Sequence, residues 1–524
     1  MLPFSGWSSK SNSYSNGLQL IEFTDTSIKT AGTAKTKGWV ERGIFVKGKL
    51  VSLSDIALSV VDYSDRYAPK TIAELTLARN VVNAQPQGTT IAQLSSDWWD
   101  NDLSNSELRV LPISDAEEKK SLDGALASVT IEGYNARIFR NGDLAYVVSD
   151  VREKIPCPTS DGGSKGGAEP GAPSDGSYEP VCYTNTQKIQ VVDLAGGKAV
   201  LKGSTKLPAT SYGYWGWGWY GCYYWDWYNG ADVVQVQGDA LAFRRWYPVY
   251  SYSGSGYTYE ESKHALFVVD LKNPDAPKLA STAVTTDPYG WWGNMRVAGD
   301  TLYVSHYDWL TKPDPTMPGE SKYYVKYFLD PIDLSDRSAP KLGKRINVPG
   351  IMVGASETDP SLVYTVDYRW YGDYTKDELS VVKIVGDKAY LQGNTLIDGY
   401  VGQVFVKGNK AYASAQRYTY AGDTYTGPRV QLHEIDLTNP KAPIDRASTE
   451  KKGWGWLLGV AGDRAVLTSG WGGAGVDIYK LSAGTAPVFD QFVRTRGWWS
   501  TSLTRQANSL FLASGYWGVQ QIDL

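Results

Sequence analysis

LFVVDLKNPDAPKL, residues 266–279, is read in two halves. The first, LFVVDL, follows the pattern apolar-x-apolar-apolar-Asp-apolar and is rich in residues that favour strands. The second, KNPDAPK, is a turn: proline presets one backbone dihedral, and Asn or Asp starts the turn by bonding its own backbone two residues on. Together they describe a strand that ends sharply and doubles back.

The same six-residue pattern recurs along the whole chain. It reads LQLIEF at 18, LSVVDY at 58, LRVLPI at 108, IQVVDL at 189, LSVVKI at 379, LHEIDL at 432, VDIYKL at 476 and VQQIDL at 519, with a shorter DPIDL at 330. Several copies run into the same turn: SDRYAPK at 64, SDRSAPK at 335 and TNPKAPI at 438. Upstream of the pattern lies a second recurring piece, FVKGKLVSLS at 45, FRNGDLAYVV at 139, VQGDALAFRR at 236, RVAGDTLYVS at 296, FVKGNKAYAS at 405 and GVAGDRAVLT at 459. Glycine followed by Asp, Asn or Lys between two alternating apolar runs is a hairpin signal. Each unit is therefore strand a, a Gly-Asp type turn, strand b, a variable loop, strand c, an Asn-Pro or Ala-Pro turn, and strand d. No segment shows a helical period.

Four antiparallel strands repeated in one chain predict an all-β fold, a single closed β-propeller of about eight, possibly nine, four-stranded blades over residues 17–524. The last unit stops at Leu524 after its strand c, whereas LQLIEFTDTSIKTAGTAKTKG near the start supplies a surplus strand c and d. Pairing of the N- and C-terminal segments would complete one blade and remove both edges. Residues 1–16, rich in Ser and Asn, are expected as a flexible lead-in.

The combination of v-x-G-D-x-x-Y-v with V-V-D-L-x-N-P-x-A-P-x-L resembles the LVIVD-type repeat and the secreted proteins with a C-terminal β-propeller domain distantly related to WD40. The resemblance covers residues from about 17 to 524 and implies the propeller fold and an exported or surface location. It implies no shared catalytic motif.

Composition narrows the function classes. The formal net charge of −4 lacks the basic footprint of a nucleic-acid binder, and no stretch is long and apolar enough to span a membrane. MLPFSGWSSKSNSYSNG has neither the basic start nor the apolar run of a signal peptide. Cys157 and Cys182 bracket a Gly/Pro/Ser-rich loop, 156–183, that cannot bury a core of its own. A disulfide between them would contribute about 3 kcal/mol and would place the chain in an oxidising compartment; the alternative is two unrelated thiols. Cys222 is left over.

Aromatic residues are placed less evenly. SYGYWGWGWYGCYYWDWYNG, residues 211–230, holds five tryptophans and six tyrosines in twenty positions. In a propeller, the d-to-a and b-to-c connections emerge on one face and the a-to-b and c-to-d turns on the other. Trp39, Trp98, Trp99, Trp246, Trp309, Trp370, Trp471 and Trp517 lie just before a strand a or just after a strand b. Trp215, Trp217, Trp219, Trp225, Trp227, Trp291, Trp292, Trp454, Trp456, Trp498 and Trp499 fall in d-to-a junctions, so nineteen of the twenty tryptophans are expected on one face. Tyr223, Tyr224 and the tyrosines around 247–259, 368–374 and 418–425 follow them, with Arg244, Arg245, Arg369 and Arg417 alongside. Such rings can pack between blades; contiguous exposed ones mark a binding surface.

Motifs for chemistry are sparse. His306 and His433 read as structural residues in strands b and c. Asp97, Asp100 and Asp102 lack the glycine turn and terminal Glu of a calcium loop, and no metal site or cofactor is expected. GWGGAG at 470 matches G-x-G-x-x-G, but strands flank it, so it does not suggest a dinucleotide site. The expectation is a non-catalytic extracellular or cell-surface propeller that takes a glycan first, or a surface-protein partner, on its Trp/Tyr face. The alternative is a carbohydrate-active hydrolase or lyase using Asp226, Asp308, Asp367 and Asp373, for which a pair about 5–9.5 Å apart would be required.

Overall fold

The computed structural model describes residues 1–8, 13–96, 105–117, 124–155, 182–208, 211–213, 232–253, 256–285, 294–313, 319, 321–368, 376–421, 424–469, 475–495 and 502–524. Among them the regular structure is strand, apart from two short 3-10 turns at Ile113–Asp115 and Ala195–Gly197. The strands form ten antiparallel sheets, numbered here in chain order. In each of sheets 2 to 9 the strands lie side by side in the order a, b, c, d in which the chain makes them. Where strand d is interrupted, both pieces pair with the same strand c, as Ile444–Ala447 and Lys451–Lys452 do with Thr424–Asp436.

The turn after strand c explains the repeated aspartate. Asp62, Asp193, Asp270, Asp333 and Asp436 each accept a hydrogen bond from the backbone N–H two residues on, at 2.9–3.1 Å. A second residue of the turn then does the same: Asp65 to Tyr67, Asn273 to Asp275, Asp336 to Ser338 and Asn439 to Lys441. Two consecutive side-chain-to-backbone turns reverse the chain without any long-range contact. Sheet 7 lacks the aspartate and turns instead through Gly386 at φ 60°, between Val385 and Lys388.

Neighbouring sheets are locked by a glycine in strand d. Gly32 lies under the turn of sheet 2, where an added Cβ would stand 2.4 Å from the Tyr67 carbonyl oxygen. Gly393 lies in the same way under the Pro440 and Lys441 carbonyls of sheet 8, at 2.6 and 2.7 Å. Only a residue without a side chain lets the two backbones approach that closely.

The chain divides into two compact units, one of Met1–Lys202, Lys206–Cys222 and Phe511–Gln521, the other of Gly203–Thr205, Tyr223–Leu510 and Ile522–Leu524. In the second unit each sheet packs on the next through apolar side chains of strands b and c. Ala242 and Val268 meet Leu302 and Val304, Leu329 meets Val363 and Val382, Val381 meets Ala413 and Ile435, and Leu432 meets Ala465 and Leu467. In the first unit Leu18, Leu20 and Ala34 of sheet 1 pack on Leu50 and Val61 of sheet 2. Leu94, Leu108 and Val110 of sheet 3 pack on Ala145, Val147 and Val192 of sheet 4.

The expected closure is corrected. No sheet closes on itself among the described residues, and there are ten sheets where eight or nine blades were expected. The N-terminal strand c, within Ser13–Thr24, pairs with Leu2–Ser8 on one side and Ser27–Lys35 on the other. Residues 2–8, read as part of a lead-in, thus fill the place reserved for the C-terminal strands. Those strands form a three-stranded sheet of their own, and Phe511, Ala513 and Val519 pack on Val81, Ala84, Ile91 and Leu111 of sheet 3. Val81 and Gly515 exchange backbone hydrogen bonds of 2.9 and 3.0 Å there.

Candidate functional site

A group of three touching rings, two of them exposed, lies in the second unit at the junction of sheets 8 and 9. Tyr418 comes from the end of the strand Lys410–Ala421, Trp454 from the d-to-a connection, and Trp456 from the strand Gly455–Ala461. The Trp454 and Trp456 rings are parallel, 7° apart in plane with centroids at 6.0 Å, and Tyr418 meets Trp454 edge-on at 5.5 Å and 78°. Trp454 is half-buried and supports the others, whereas Tyr418 is 56% and Trp456 39% exposed.

Local sequence produces this arrangement. Gly453, at φ 117°, turns the chain and donates its N–H to the Pro428 carbonyl at 2.9 Å. Gly455 permits close pairing, and its carbonyl accepts from Gln416 Nε2 at 3.0 Å, while Leu457 N–H donates to Ser414 Oγ at 3.1 Å. The Trp456 indole lies over Gly402, where a Cβ would stand at an ordinary contact distance of 3.5 Å from its Cδ1. The ring group therefore rests on buried hydrogen bonds that fix sheet 9 against strand b of sheet 8.

A cluster of charged groups centres on Arg417, next to Tyr418 in sequence. Arg417 Nη1 lies 3.0 Å from Asp398 Oδ2 and 3.6 Å from Glu450 Oε1. Tyr400, 47% exposed, opens strand a of sheet 8. Burial, then the Asp377 carboxylate and Tyr418, raises its phenol above the ordinary value. Asp377 is itself buried and accepts the Val401 N–H at 2.7 Å. Behind it, burial and the same carboxylate push Tyr368 up to about 12.

A second group of three rings, only one of them exposed, lies on the long hairpin of sheet 6. Trp309, exposed, stands edge-on to Tyr307 at 5.7 Å, and Tyr307 meets Tyr327 at 6.0 Å. Tyr327 donates to Asp367 Oδ1 at 2.9 Å, so this carboxylate already holds a structural hydrogen bond. Asp308 is cross-strand to Lys326.

Of the other expected site residues, Trp39 and Trp517 are exposed in the first unit. Arg245 is buried rather than presented at a surface. Trp246 lies in the strand Ala240–Ser253 and Cys182 in Cys182–Asp193, where only the backbone is described. Trp98, Trp99, Trp215, Trp217, Trp219, Tyr223, Tyr224, Trp225, Trp227, Trp291, Trp292, Arg369, Trp370, Trp471, Trp498, Trp499 and Cys157 lie outside the described residues, as do Asp226, Asp373 and the Asp97–Asp102 stretch. Tyr400, Asp398 and Glu450 went unnoticed in sequence because each is a single residue in a junction with no motif around it.

Both described histidines with placed rings are interior. His306 Nε2 lies 3.0 Å from Asp330 Oδ2, and its ring stacks on Phe328 at 5.3 Å; Asp330 also meets Arg345 Nε at 3.2 Å. His433 Nδ1 lies 2.9 Å from Asp445. Among the described residues no group of three or more His, Cys, Asp or Glu side chains is arranged to hold a metal ion, and no helix is long and apolar enough to cross a membrane.

No family model matches this chain, and no curated protein matches it. Among solved structures it is similar to an acylaminoacyl peptidase from Pyrococcus horikoshii, at 11% identity and a TM-score of 0.37, over 79% of this chain and 52% of the peptidase. The chain thus spans about half the length of that protein. It is also similar to the computationally designed Ika8 protein, at 9% identity and a TM-score of 0.32, over 93% of this chain and 97% of the other. Both likenesses are too slight to bear on function.

Proposed function

We propose that this chain is an exported, non-catalytic β-propeller that binds a glycan through the aromatic group at Tyr418, Trp454 and Trp456. The observation that carries the reading is the pairing of two exposed rings with a third that supports them, next in sequence to the ion pairs of Arg417 with Asp398 and Glu450. Flat ring faces match the apolar faces of sugars, and the carboxylates and guanidinium offer bonds to hydroxyls. An exposed ring held rigid loses little entropy on binding, which favours a shallow platform over a flexible loop.

The propeller reading is supported by the a-b-c-d order of eight sheets, by the glycine lock between neighbours, and by the packing of the C-terminal strands on sheet 3. Export is supported by the resemblance to secreted propeller proteins, and it goes with the proposed Cys157–Cys182 bridge.

The test is a glycan array probed with the wild type and with the Tyr418→Ala/Trp456→Ala variant, folding of both checked by circular dichroism. Both rings are exposed, so the variant keeps its fold, and loss of two anchoring rings should weaken binding by about 2 kcal/mol or more, roughly thirtyfold. A folded wild type that binds no glycan overturns the proposal and favours a protein partner. Glycan binding that survives the double substitution overturns the assignment of the site.

A further inference from the structure

Sheet 8 carries a row of like charges that its fold does not call for. In the register of its strands Arg417 stands opposite Arg429, and Arg429 opposite Lys452. Residues directly opposite in antiparallel strands share a face and lie about 4.5–5.5 Å apart, and like charges so placed are destabilising. Arg417 is compensated by Asp398 and Glu450. Among the described residues Arg429 and Lys452 have no ion-pair partner. The row therefore keeps an excess of positive charge, in a chain whose formal net charge is −4.

The repeat shows that this is a local choice rather than a demand of the scaffold. Ser305 in sheet 6 and Ser414 in sheet 8 hold equivalent positions, each accepting a strand a N–H of the next sheet at 3.1 Å, from Met352 and Leu457. Three residues further on, sheet 6 places Asp308 opposite Lys326, an attractive pair. At the same place sheet 8 sets Arg417 against Arg429. A cross-strand repulsion where the repeat elsewhere has an attraction is the kind of local conflict that a fold retains for function.

The row lies at the end of the sheet that carries the aromatic group. Arg417 precedes Tyr418, and Lys452 lies two residues before Trp454. Consecutive residues of a strand point to opposite faces, so Arg417 turns toward sheet 7, where it meets Asp398, and Tyr418 toward Trp454 and the Trp456 of sheet 9. Both side chains are exposed. A chain-like ligand crossing this end of strand b meets rings on one side and cations on the other.

Arginine offers a planar fork that matches an oxyanion, and lysine a mobile point charge. We propose that the glycan bound at Tyr418, Trp454 and Trp456 is acidic, and that its carboxylate or sulfate groups are held by Arg429 and Lys452. This rests on the glycan reading of the ring group and adds the charge of the ligand to it. The rings take the apolar sugar faces, and the anion relieves the repulsion within the row.

Titration calorimetry of the full chain with two matched pairs tests this: a galacturonate hexamer beside its methyl ester, for carboxylate, and sulfated cellohexaose beside cellohexaose, for sulfate. The acidic member of at least one pair should bind tenfold or more tighter than its neutral partner, about the worth of one hydrogen bond to a charged group. Arg429→Gln/Lys452→Gln should lower the acidic affinity about tenfold and leave the neutral one unchanged. Lys272→Gln/Lys278→Gln, the same change of net charge at the exposed turn after strand c of sheet 5, should do neither, and Trp456→Ala should weaken both members of the pair. Arg429 and Lys452 have no ion pair to lose, so their double variant should melt at or above the wild type; a clearly lower melting temperature assigns the row a structural role and overturns the inference. Neutral members that bind as well as the acidic ones overturn it too, as does a preference that survives the Arg429/Lys452 substitution or is lost equally with Lys272 and Lys278. In those cases glycan binding that falls with Trp456→Ala leaves the ring-group reading standing, whereas no binding of any of the four ligands removes both.

Discussion

Replacing Gly393 by alanine tests the lock between successive sheets. Gly393 lies in the strand Lys388–Asp398, where strand propensity alone would favour alanine over glycine by about 0.5–1 kcal/mol. Its dihedrals are not in the left-handed region, so an L-residue is acceptable to the backbone. Space decides against it: a Cβ would stand 2.6 Å from the Pro440 oxygen, 2.7 Å from the Lys441 oxygen and 2.8 Å from the Lys441 carbonyl carbon. All three are backbone atoms of a turn that cannot yield cheaply, because Asn439 Oδ1 accepts the Lys441 N–H and Ala442 N–H donates to the Asn439 carbonyl at 3.1 Å. Moving a braced turn by more than half an ångström belongs to the upper part of the overpacking range, about 2–3 kcal/mol. The control is Gly402→Ala, also in a strand and also outside the left-handed region, whose nearest atoms would be at an ordinary 3.5 Å. Thermal and urea unfolding should show Gly393→Ala melting a few degrees lower, about 1.5–2 °C per kcal/mol for a unit of this size. Gly402→Ala should melt at or slightly above the wild type. Equal melting of the two variants would refute the steric argument.

Two further outcomes follow from titrating groups. The Asp436 carboxyl is held below its ordinary value by hydrogen bonds from the Thr438 side chain and backbone and by Arg446, so its contribution to stability is present above about pH 4 and lost as pH falls through the lowered folded value. Urea midpoints of the wild type and Asp436→Asn, measured from pH 7 down to pH 2, should differ at neutral pH and converge in acid. The Tyr368 phenol, raised to about 12 by burial and by Asp377, stabilises the fold below its unfolded value of about 10 and ceases to do so as pH rises from about 10 to about 12. Tyr368→Phe should therefore lose less stability than the wild type between pH 9 and pH 12 in the same unfolding assay.

The aspartate of LFVVDL was legible because its chemistry is local: the side chain bonds a backbone two residues away, whatever lies around it. The same locality lets one signal serve two turns and hides strands that lack it. VKIVGDKAY, residues 382–390, carries the Gly-Asp signal and turns from strand c to strand d, since a two-residue turn needs only the left-handed glycine. LPFSGWS, residues 2–8, has no alternation to mark it as a strand and becomes one through pairing with Ser13–Gln19. Counting copies of strand c could not reveal a sheet whose edge strand has no repeat. For the site, Tyr418, Trp454 and Trp456 were placed by their position after strand b and before strand a, and the structure brings those three together. Asp398 of sheet 7 meets Arg417 of sheet 8 only because those sheets pack together, a relation that no spacing along the chain encodes.

A four-stranded meander separates its connections by necessity: a-to-b and c-to-d turns leave from one end, b-to-c and d-to-a connections from the other. In this chain the first end carries the structural chemistry, the paired Asp and Asn turns and the glycine locks, all of which demand particular residues at particular positions. The second end is under no such demand. Its connections vary from the two residues between Ser54 and Ala57 to the long 156–181 segment. A ring added or removed there leaves the turns that define a sheet intact, as the exposed, edge-mounted Tyr418 and Trp456 illustrate. This division leaves the d-to-a and b-to-c connections free to vary while the turns stay fixed, and on the proposed reading it is there that the choice of ligand would be made.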